Sequence, residues 1–182
     1  MKESLQNFYK SVYNNPMNTK EEFINFYGNL NQNLSALITG YDKNLSNWIA
    51  NLANASALLW QYLPDINWAG FYLVEGDHLM VGPFQGKPAC REIAKGRGVC
   101  GTAWETNEIL VVPDVHQFPG HIACDEASRS EIVLPIHQNG SVIGVLDIDS
   151  PLPDRFNEWD RAGLMAFVGI IEETLRTETP ES

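Results

Sequence analysis

Three cysteines are the most reactive side chains in the sequence. They are Cys90, Cys100 and Cys124, separated by nine and then twenty-three residues. Structural zinc sites usually use cysteine pairs two to four residues apart, so this spacing predicts no metal site. An odd number of cysteines without a secretory signal also disfavours a permanent disulfide framework. The pattern therefore favours free thiols, which are either reactive or simply small buried hydrophobic residues.

The local sequence distinguishes the three thiols. Cys100 follows the Gly-Arg-Gly segment at residues 96–98, where a helix is predicted to begin. Backbone N–H groups, the helix dipole and the arginine would favour a thiolate there. Cys124 lies in a long loop, three residues after His121. These settings indicate thiol chemistry at Cys100 and Cys124, whereas Cys90 by itself is typical of a buried cysteine.

Two acidic residues lie in an apolar run over residues 142–149. Side chains alternate along a strand, so Asp147 and Asp149 share one face, and Leu146 and Ile148 share the other. The acids either face solvent or form a pocket wall, because buried ionised carboxylates cost several kcal/mol unless they are paired. Neighbouring carboxylates raise at least one pKa, so such a pocket could hold and donate a proton at neutral pH.

The hydrophobic pattern predicts helices and strands that would position these groups. Amphipathic helices are predicted over residues 20–39 and 45–62 and from Asn157, which forms a capping-box pattern with Asp160. Strands are predicted at residues 68–74, 78–81, 109–112, 131–137 and 142–149. The loop over residues 113–130 is long enough to suggest a functional segment. We expect an α+β fold, with helices packed on an antiparallel sheet.

Composition narrows the possible partners. The chain has 182 residues, a formal net charge of -11 and no cluster of basic residues. This charge argues against nucleic acid as a partner, because binding to a phosphate backbone needs a basic surface. No apolar run reaches the roughly 18 residues of a membrane span. The N-terminus shows no targeting peptide, which predicts a cytoplasmic location. We expect a single domain over residues 1–182, with an N-terminal helical extension at about residues 1–40.

Several motifs in a fixed order carry a family resemblance. They are GPFQGKPAC at 82–90, GRGVCGT at 96–102, VPDVH at 112–116, FPGHIACD at 118–125 and GVLDIDSP at 144–151. With NWAGFY at 67–72, they make the sequence similar to the free methionine-(R)-sulfoxide reductases over about residues 42–160. The resemblance implies a GAF fold and reduction of the free amino acid sulfoxide.

The resemblance also implies roles for the cysteines. In that family a cysteine thiolate attacks the sulfoxide sulfur, methionine leaves, and a second cysteine captures the sulfenic acid as a disulfide. Cys124 matches the attacking residue, and Cys90 and Cys100 match resolving residues. Cys100 is an alternative candidate for the first attack, because it is predicted to lie at the start of a helix. Thioredoxin, as the reductant, would restore the thiols, and no cofactor is expected.

The family's substrate pocket would be formed by two groups of side chains. Its carboxylates fall on Glu131, Asp147 and Asp149, and its aromatic wall falls on Trp68 and Tyr72. The acids would protonate the leaving oxygen. Without the resemblance, Trp68 and Tyr72 could equally be ordinary core residues.

The hairpin register tests the role of Glu131. A two-residue turn at Asn139-Gly140 pairs Glu131 with Ile148 and turns the carboxylate away from the pocket face. A three-residue loop that pairs Gln138 with Val142 would place Glu131 opposite Asp149. We therefore predict a three-residue or bulged hairpin.

Two other functions remain open at this point. A GAF domain could bind a small ligand as a sensor without chemistry, because one fold hosts many functions. The chain could also be a dimeric interaction protein with inert thiols, and a homodimer is possible for the enzyme as well. An enzyme would use the two acids of the 142–149 strand, whereas an interaction protein with inert thiols would have no use for them.

Overall fold

The computed structural model describes residues 17, 19–120 and 125–175, and every structural statement below concerns these residues. The helices are α1 (Lys20–Ile38), α2 (Leu45–Tyr62), α3 (Gly98–Thr106) and α4 (Glu158–Glu173), with a short 3-10 helix at Val115–Gln117. The strands are β1 (Trp68–Glu75), β2 (His78–Gly86), β3 (Glu92–Ala94), β4 (Leu110–Val112), β5 (Ser130–Gln138) and β6 (Ser141–Ser150). None of the described helices is long and apolar enough to cross a membrane.

The six strands form one antiparallel sheet in the order β3-β2-β1-β6-β5-β4. Strand alternation gives the sheet two apolar faces. One face packs against α2 and α4 and includes Leu146 and Ile148, and α1 packs on these two helices. The other packs against α3, where Trp68 and Tyr72 of β1 share an apolar cluster with Cys100 of the helix. The predicted α+β architecture is confirmed, and the candidate site lies on the face covered by α3.

Helix α1 is part of the main core. Six of its side chains are buried, and the hydroxyl of Tyr27 donates a 2.7 Å hydrogen bond to Asp160 of α4. Asp160 is fully buried and also receives a 3.2 Å hydrogen bond from Arg155. It completes the capping box with Asn157 that the sequence predicted. Helix α1 is therefore joined to the rest of the domain by apolar contacts and by a hydrogen bond to a buried carboxyl. Residues 1–16 and 18 of the predicted N-terminal extension lie outside the described residues.

The β5–β6 hairpin confirms the bulged form of the prediction. Gln138 pairs with Ser141 across a two-residue Asn139-Gly140 turn, so the hairpin has the predicted bulge and not the alternative three-residue loop. The extra residue lies within β6, between Val142, which pairs with His137, and Gly144, which pairs with Ile136. This bulge shifts the register by one residue and places Glu131 opposite Asp149.

Strand β2 is longer than the sequence predicted. It continues past Val81 to Gly86 and pairs with β1, through a register shift at Gly70/Tyr72. A proline at position 83 is tolerated because bulges and unpaired strand edges do not need its missing N–H. The extension places Trp68 beside Phe84 and leads the chain toward Cys90.

Candidate active site

A row of functional side chains crosses three neighbouring strands. Asp149 on β6 pairs with Glu131 on β5 and with Trp68 on β1. Asp147 lies two residues away on the same face of β6, opposite Gly70 and Val133. The predicted acidic pocket wall is therefore assembled by sheet register alone.

Helix α3 places a thiol above this row. Cys100 is buried and its thiol donates to Oε1 of Glu131 across 3.8 Å. The sulfur of Cys100 and one carboxyl oxygen each from Glu131 and Asp147 all lie within 4.8 Å of one another. This spacing fits a hydrogen-bonded group of thiol and carboxyl side chains and would also admit a small cation. The absence of a metal cofactor stays a prediction.

Burial determines the protonation of this cluster. It raises the pKa of Glu131 well above its ordinary value, and the negative charges of Asp147 and Asp149 add to the effect. Burial also raises the pKa of Asp149, and raises that of Asp147 to about 6 against the hydrogen bonds from Cys100 and Glu131. Carboxyl groups in this pocket therefore retain protons near neutral pH.

The expectation of a thiolate at Cys100 is wrong. Cys100 does lie in the first turn of α3, but burial and the charges of Asp147 and Glu131 raise the pKa of its thiol. Arg97 is exposed and does not offset this effect. Sequence context predicted the helix start correctly and missed the acids that the fold brings beneath it.

Aromatic residues form the wall next to the acids. Trp68 stacks on Tyr72 with ring centroids 5.8 Å apart, and on Phe84 at 5.2 Å. The close packing requires glycine at position 70, where an added Cβ would collide with Phe84 and with the ring of Trp68. Both predicted wall residues therefore lie in the site.

The aromatic wall also holds the segment that carries Cys90. The indole of Trp68 donates to the carbonyl of Lys87 at 3.2 Å, and the hydroxyl of Tyr72 donates to the carbonyl of Cys90 at 3.0 Å. Cys90 is disulfide-bonded and Cys100 is a free thiol. The third predicted cysteine, Cys124, and the nearby His121 lie outside the described residues.

A cavity of about 40 Å³ lies between these groups. Its lining includes Trp68, Tyr72, Cys100, Glu131, Asp147 and Asp149. Oδ1 of Asp147 is buried without a hydrogen-bond partner among the described residues. The cavity thus has an apolar side and a polar side with unused hydrogen-bonding capacity.

The sequence prediction missed a polar group at the mouth of the site. Asp125 and Ser128 also line the cavity, and the amide of Asn67 donates to both, at 3.2 and 2.9 Å. Lys87 forms a 3.1 Å ion pair with Asp125. The NWAGFY and FPGHIACD motifs contain Asn67 and Asp125, but residue spacing alone gives no signal that they meet.

The fold and the site together define an α+β domain with an enzyme-like cavity, in which a buried thiol adjoins proton-bearing acids and an aromatic wall. A GAF domain sequence model matches residues 48–175. Free methionine-R-sulfoxide reductase of Escherichia coli is 53% identical over 152 residues, which are 84% of this chain and 90% of that protein. The chain belongs to this family of GAF domain reductases.

Solved structures agree with the family. The substrate complex of fRMsr from Staphylococcus aureus has a TM-score of 0.77 and 51% identity, over 82% of this chain and 95% of that one. A putative GAF sensor protein from Burkholderia vietnamiensis has a TM-score of 0.78 and 47% identity, over 85% and 99% of the respective chains.

Proposed function

We propose that this chain reduces free L-methionine (R)-S-oxide to methionine. The observation that carries the proposal is the buried group of Glu131, Asp147 and Asp149, whose raised pKa values keep protons beside a thiol and an aromatic wall. The names of the Escherichia coli and Staphylococcus aureus relatives support the same reaction and a bound substrate.

The site offers a separate contact for each part of a sulfoxide. Trp68 and Tyr72 provide an apolar surface for the methyl group of the substrate. A protonated carboxyl on Glu131, whose pKa is raised well above its ordinary value by burial, can donate to the sulfoxide oxygen. Protonating that oxygen lowers the barrier to its transfer, because the charge that develops on it is neutralised.

Cys124 is our candidate for the attacking thiol. Its thiolate attacks the sulfur of the protonated sulfoxide and forms a sulfur–sulfur bond. That bond and the S–O bond then break as the hydroxyl passes to the cysteine sulfur, which gives a sulfenic acid and free methionine. Methionine leaves reduced, and the cysteine is oxidised by two electrons. The neutral, buried Cys100 is less suited to attack, because a thiol is a much weaker nucleophile than a thiolate.

Cys90 is our candidate for the first resolving thiol. Its sulfur attacks the sulfenic acid, which releases water and forms a Cys90–Cys124 disulfide. The disulfide-bonded state of Cys90 and the free thiol of Cys100 support this order. Cys100 would serve as the second resolving thiol. Thioredoxin, acting in the cytoplasm, would return the disulfide to two thiols.

A coupled assay tests the proposed reaction. With thioredoxin, its reductase and NADPH, we expect turnover of the free R-sulfoxide, and little with the S-epimer or with a methionine sulfoxide inside a peptide. Equal rates on free and peptide-bound sulfoxide would contradict the proposed substrate. The sensor alternative, favoured by the name of the Burkholderia vietnamiensis relative, predicts binding of a small ligand without turnover.

Peptide mapping tests the roles of the thiols. After one turnover without reductant, we expect a Cys90–Cys124 disulfide in the wild type. In Cys90→Ser we expect a Cys100–Cys124 disulfide to form more slowly, because Cys100 is buried and its pKa is raised. A Cys90–Cys100 disulfide in the wild type would contradict the assignment of Cys124.

A further inference from the structure

Asn67 holds the turn that directly follows the proposed attacking cysteine. It precedes β1, and its backbone N–H donates to the carbonyl of Asp149 at 2.9 Å. Its side-chain amide donates to Oδ2 of Asp125 at 3.2 Å and to Oγ of Ser128 at 2.9 Å. Asn67 therefore connects the edge of the acidic row to the turn at residues 125–128.

The turn is a fixed unit that covalent bonds join to Cys124. The carboxylate of Asp125 accepts from the N–H of Ala127 at 3.0 Å, and the N–H of Ser128 donates to the carbonyl of Asp125 at 3.2 Å. Asp125 is the residue after Cys124 in the sequence. A displacement of this turn consequently displaces one end of the peptide that carries the thiol.

The orientation of the Asn67 amide follows from its partners. A carboxylate can only accept, so the nitrogen of the amide, and not the oxygen, must face Asp125. Hydrogen bonds from Ala127, Lys87 and Asn67 lower the pKa of Asp125, so it carries the charge that strengthens the contact. Asp125 and Ser128 both line the cavity, so the contact is part of the site's wall.

We propose that Asn67 is a positioning residue for the first chemical step. It fixes the 125–128 turn against the start of β1, beside the cavity that Trp68 lines, and so restrains one end of the peptide that carries Cys124. The inference rests on the proposed function, in which Cys124 attacks. Misplacement of a reacting group by about 1 Å can cost about 100-fold in rate, so one amide can have a large effect.

The isosteric substitution Asn67→Asp tests the contact. It removes the donor and places a carboxylate against Asp125. We expect the single-turnover rate of methionine release to fall by about 10- to 100-fold, with a much smaller change in KM. A purely structural role would instead lower the thermal unfolding temperature and leave the rate of the folded protein unchanged.

The double variant Asn67→Asp with Asp125→Asn provides a rescue. It reverses the donor and the acceptor, since an amide at position 125 can donate to a carboxylate at position 67. We expect it to recover most of the rate that Asn67→Asp loses. Glu126→Gln is the matched control, because Glu126 is an exposed residue of the same turn and is not part of the cavity lining. We expect its rate to stay within about twofold of the wild type.

The outcomes separate this inference from the proposed function. A wild-type rate in Asn67→Asp, or a loss that the double variant does not recover, would overturn the positioning role. The wild type and Cys124→Ser test the proposed function itself, and that result does not depend on Asn67. If the wild type turns over and Cys124→Ser does not, the Asn67 variants alone decide the inference.

Discussion

At the scale of single residues, the site depends on acids that the fold makes reluctant to ionise. Burial raises the pKa values of Glu131, Asp147 and Asp149, and the first two also lie close to the Cys100 thiol. A carboxyl group that keeps its proton can donate it, but a carboxylate forced to ionise in the same place destabilises the fold. The two consequences can be measured separately.

The Glu131→Gln substitution tests the donor. The raised pKa means that Glu131 is protonated at low pH and loses the donated proton as pH rises through that pKa. We therefore expect the wild-type rate of methionine release to fall as pH rises through the pKa of Glu131. Glutamine should lower the rate by about 100-fold or more and remove this fall with pH. A rate and pH profile like those of the wild type would show that Glu131 does not donate.

The Asp147→Asn substitution tests the cost of ionisation. Asp147 has an ordinary pKa of 3.8, which burial raises to about 6 in the fold. At a pH below both pKa values the carboxyl is protonated in the folded and in the unfolded protein, so it does not change the free energy of unfolding. Stability is lost as pH rises between the two values, by about 3 kcal/mol once pH exceeds the folded value.

Asparagine cannot ionise and avoids this loss. In urea unfolding under reducing conditions, we therefore expect Asp147→Asn to be more stable than the wild type at pH 7. At pH 4 the difference should be small. If Asp147→Asn were less stable than the wild type, and by a larger amount at pH 7 than at pH 4, the direction of the Asp147 pKa shift would be contradicted.

Sequence reasoning succeeded and failed at this scale for identifiable reasons. It placed Asp147 and Asp149 on one face because strand alternation is a local property. It predicted a thiolate at Cys100 because the helix start is also local. The acids that reverse that prediction are Glu131 and Asp147, at least thirty-one residues away, and only the packing of α3 on the sheet brings them together.

At the scale of elements, small irregularities in the strands build the pocket. The bulge in β6 between Val142 and Gly144 brings Glu131 opposite Asp149. Sequence reasoning foresaw the one-residue offset but not its place. Asn139 and Gly140 have φ values of 52° and 80°, typical of a two-residue type I′ turn, so the extra residue enters the strand instead.

The Gly70→Ala substitution tests the aromatic wall. The added methyl group would meet Phe84 and Trp68 at backbone and ring atoms that cannot move easily. We expect a loss of about 1–3 kcal/mol in the free energy of unfolding and a raised KM, because Trp68 must shift. Gly28→Ala in α1 is the control, since nothing lies within 4 Å of its added methyl group. Calorimetry should show that the control is unchanged or more stable, by up to about 1 kcal/mol.

At the scale of the whole molecule, the domain extends beyond the segment that the GAF sequence model matches. The match begins at residue 48, yet α1 at Lys20–Ile38 fills one side of the core and bonds to α4 through Tyr27 and Asp160. The sequence predicted this helix and its apolar stripe. Which elements the stripe covers is a tertiary property that periodicity does not contain.

Two leucines of α1 provide a matched test of this role. Leu30 is fully buried, whereas Leu37 on the same helix is 42% exposed. We expect Leu30→Ala to lower the free energy of unfolding by about 2–5 kcal/mol and Leu37→Ala to lower it by less than about 1 kcal/mol. Equal losses in urea unfolding would show that α1 is not packed as described.

The most direct test of the proposed reaction is a single turnover of the reduced protein without any external reductant. With free L-methionine (R)-S-oxide, we expect the wild type to release about one methionine per chain as two thiols disappear. Cys124→Ser should release none, while its acidic pocket still binds the sulfoxide. Methionine release by Cys124→Ser at the wild-type rate, or none from the wild type, would contradict the proposed reaction.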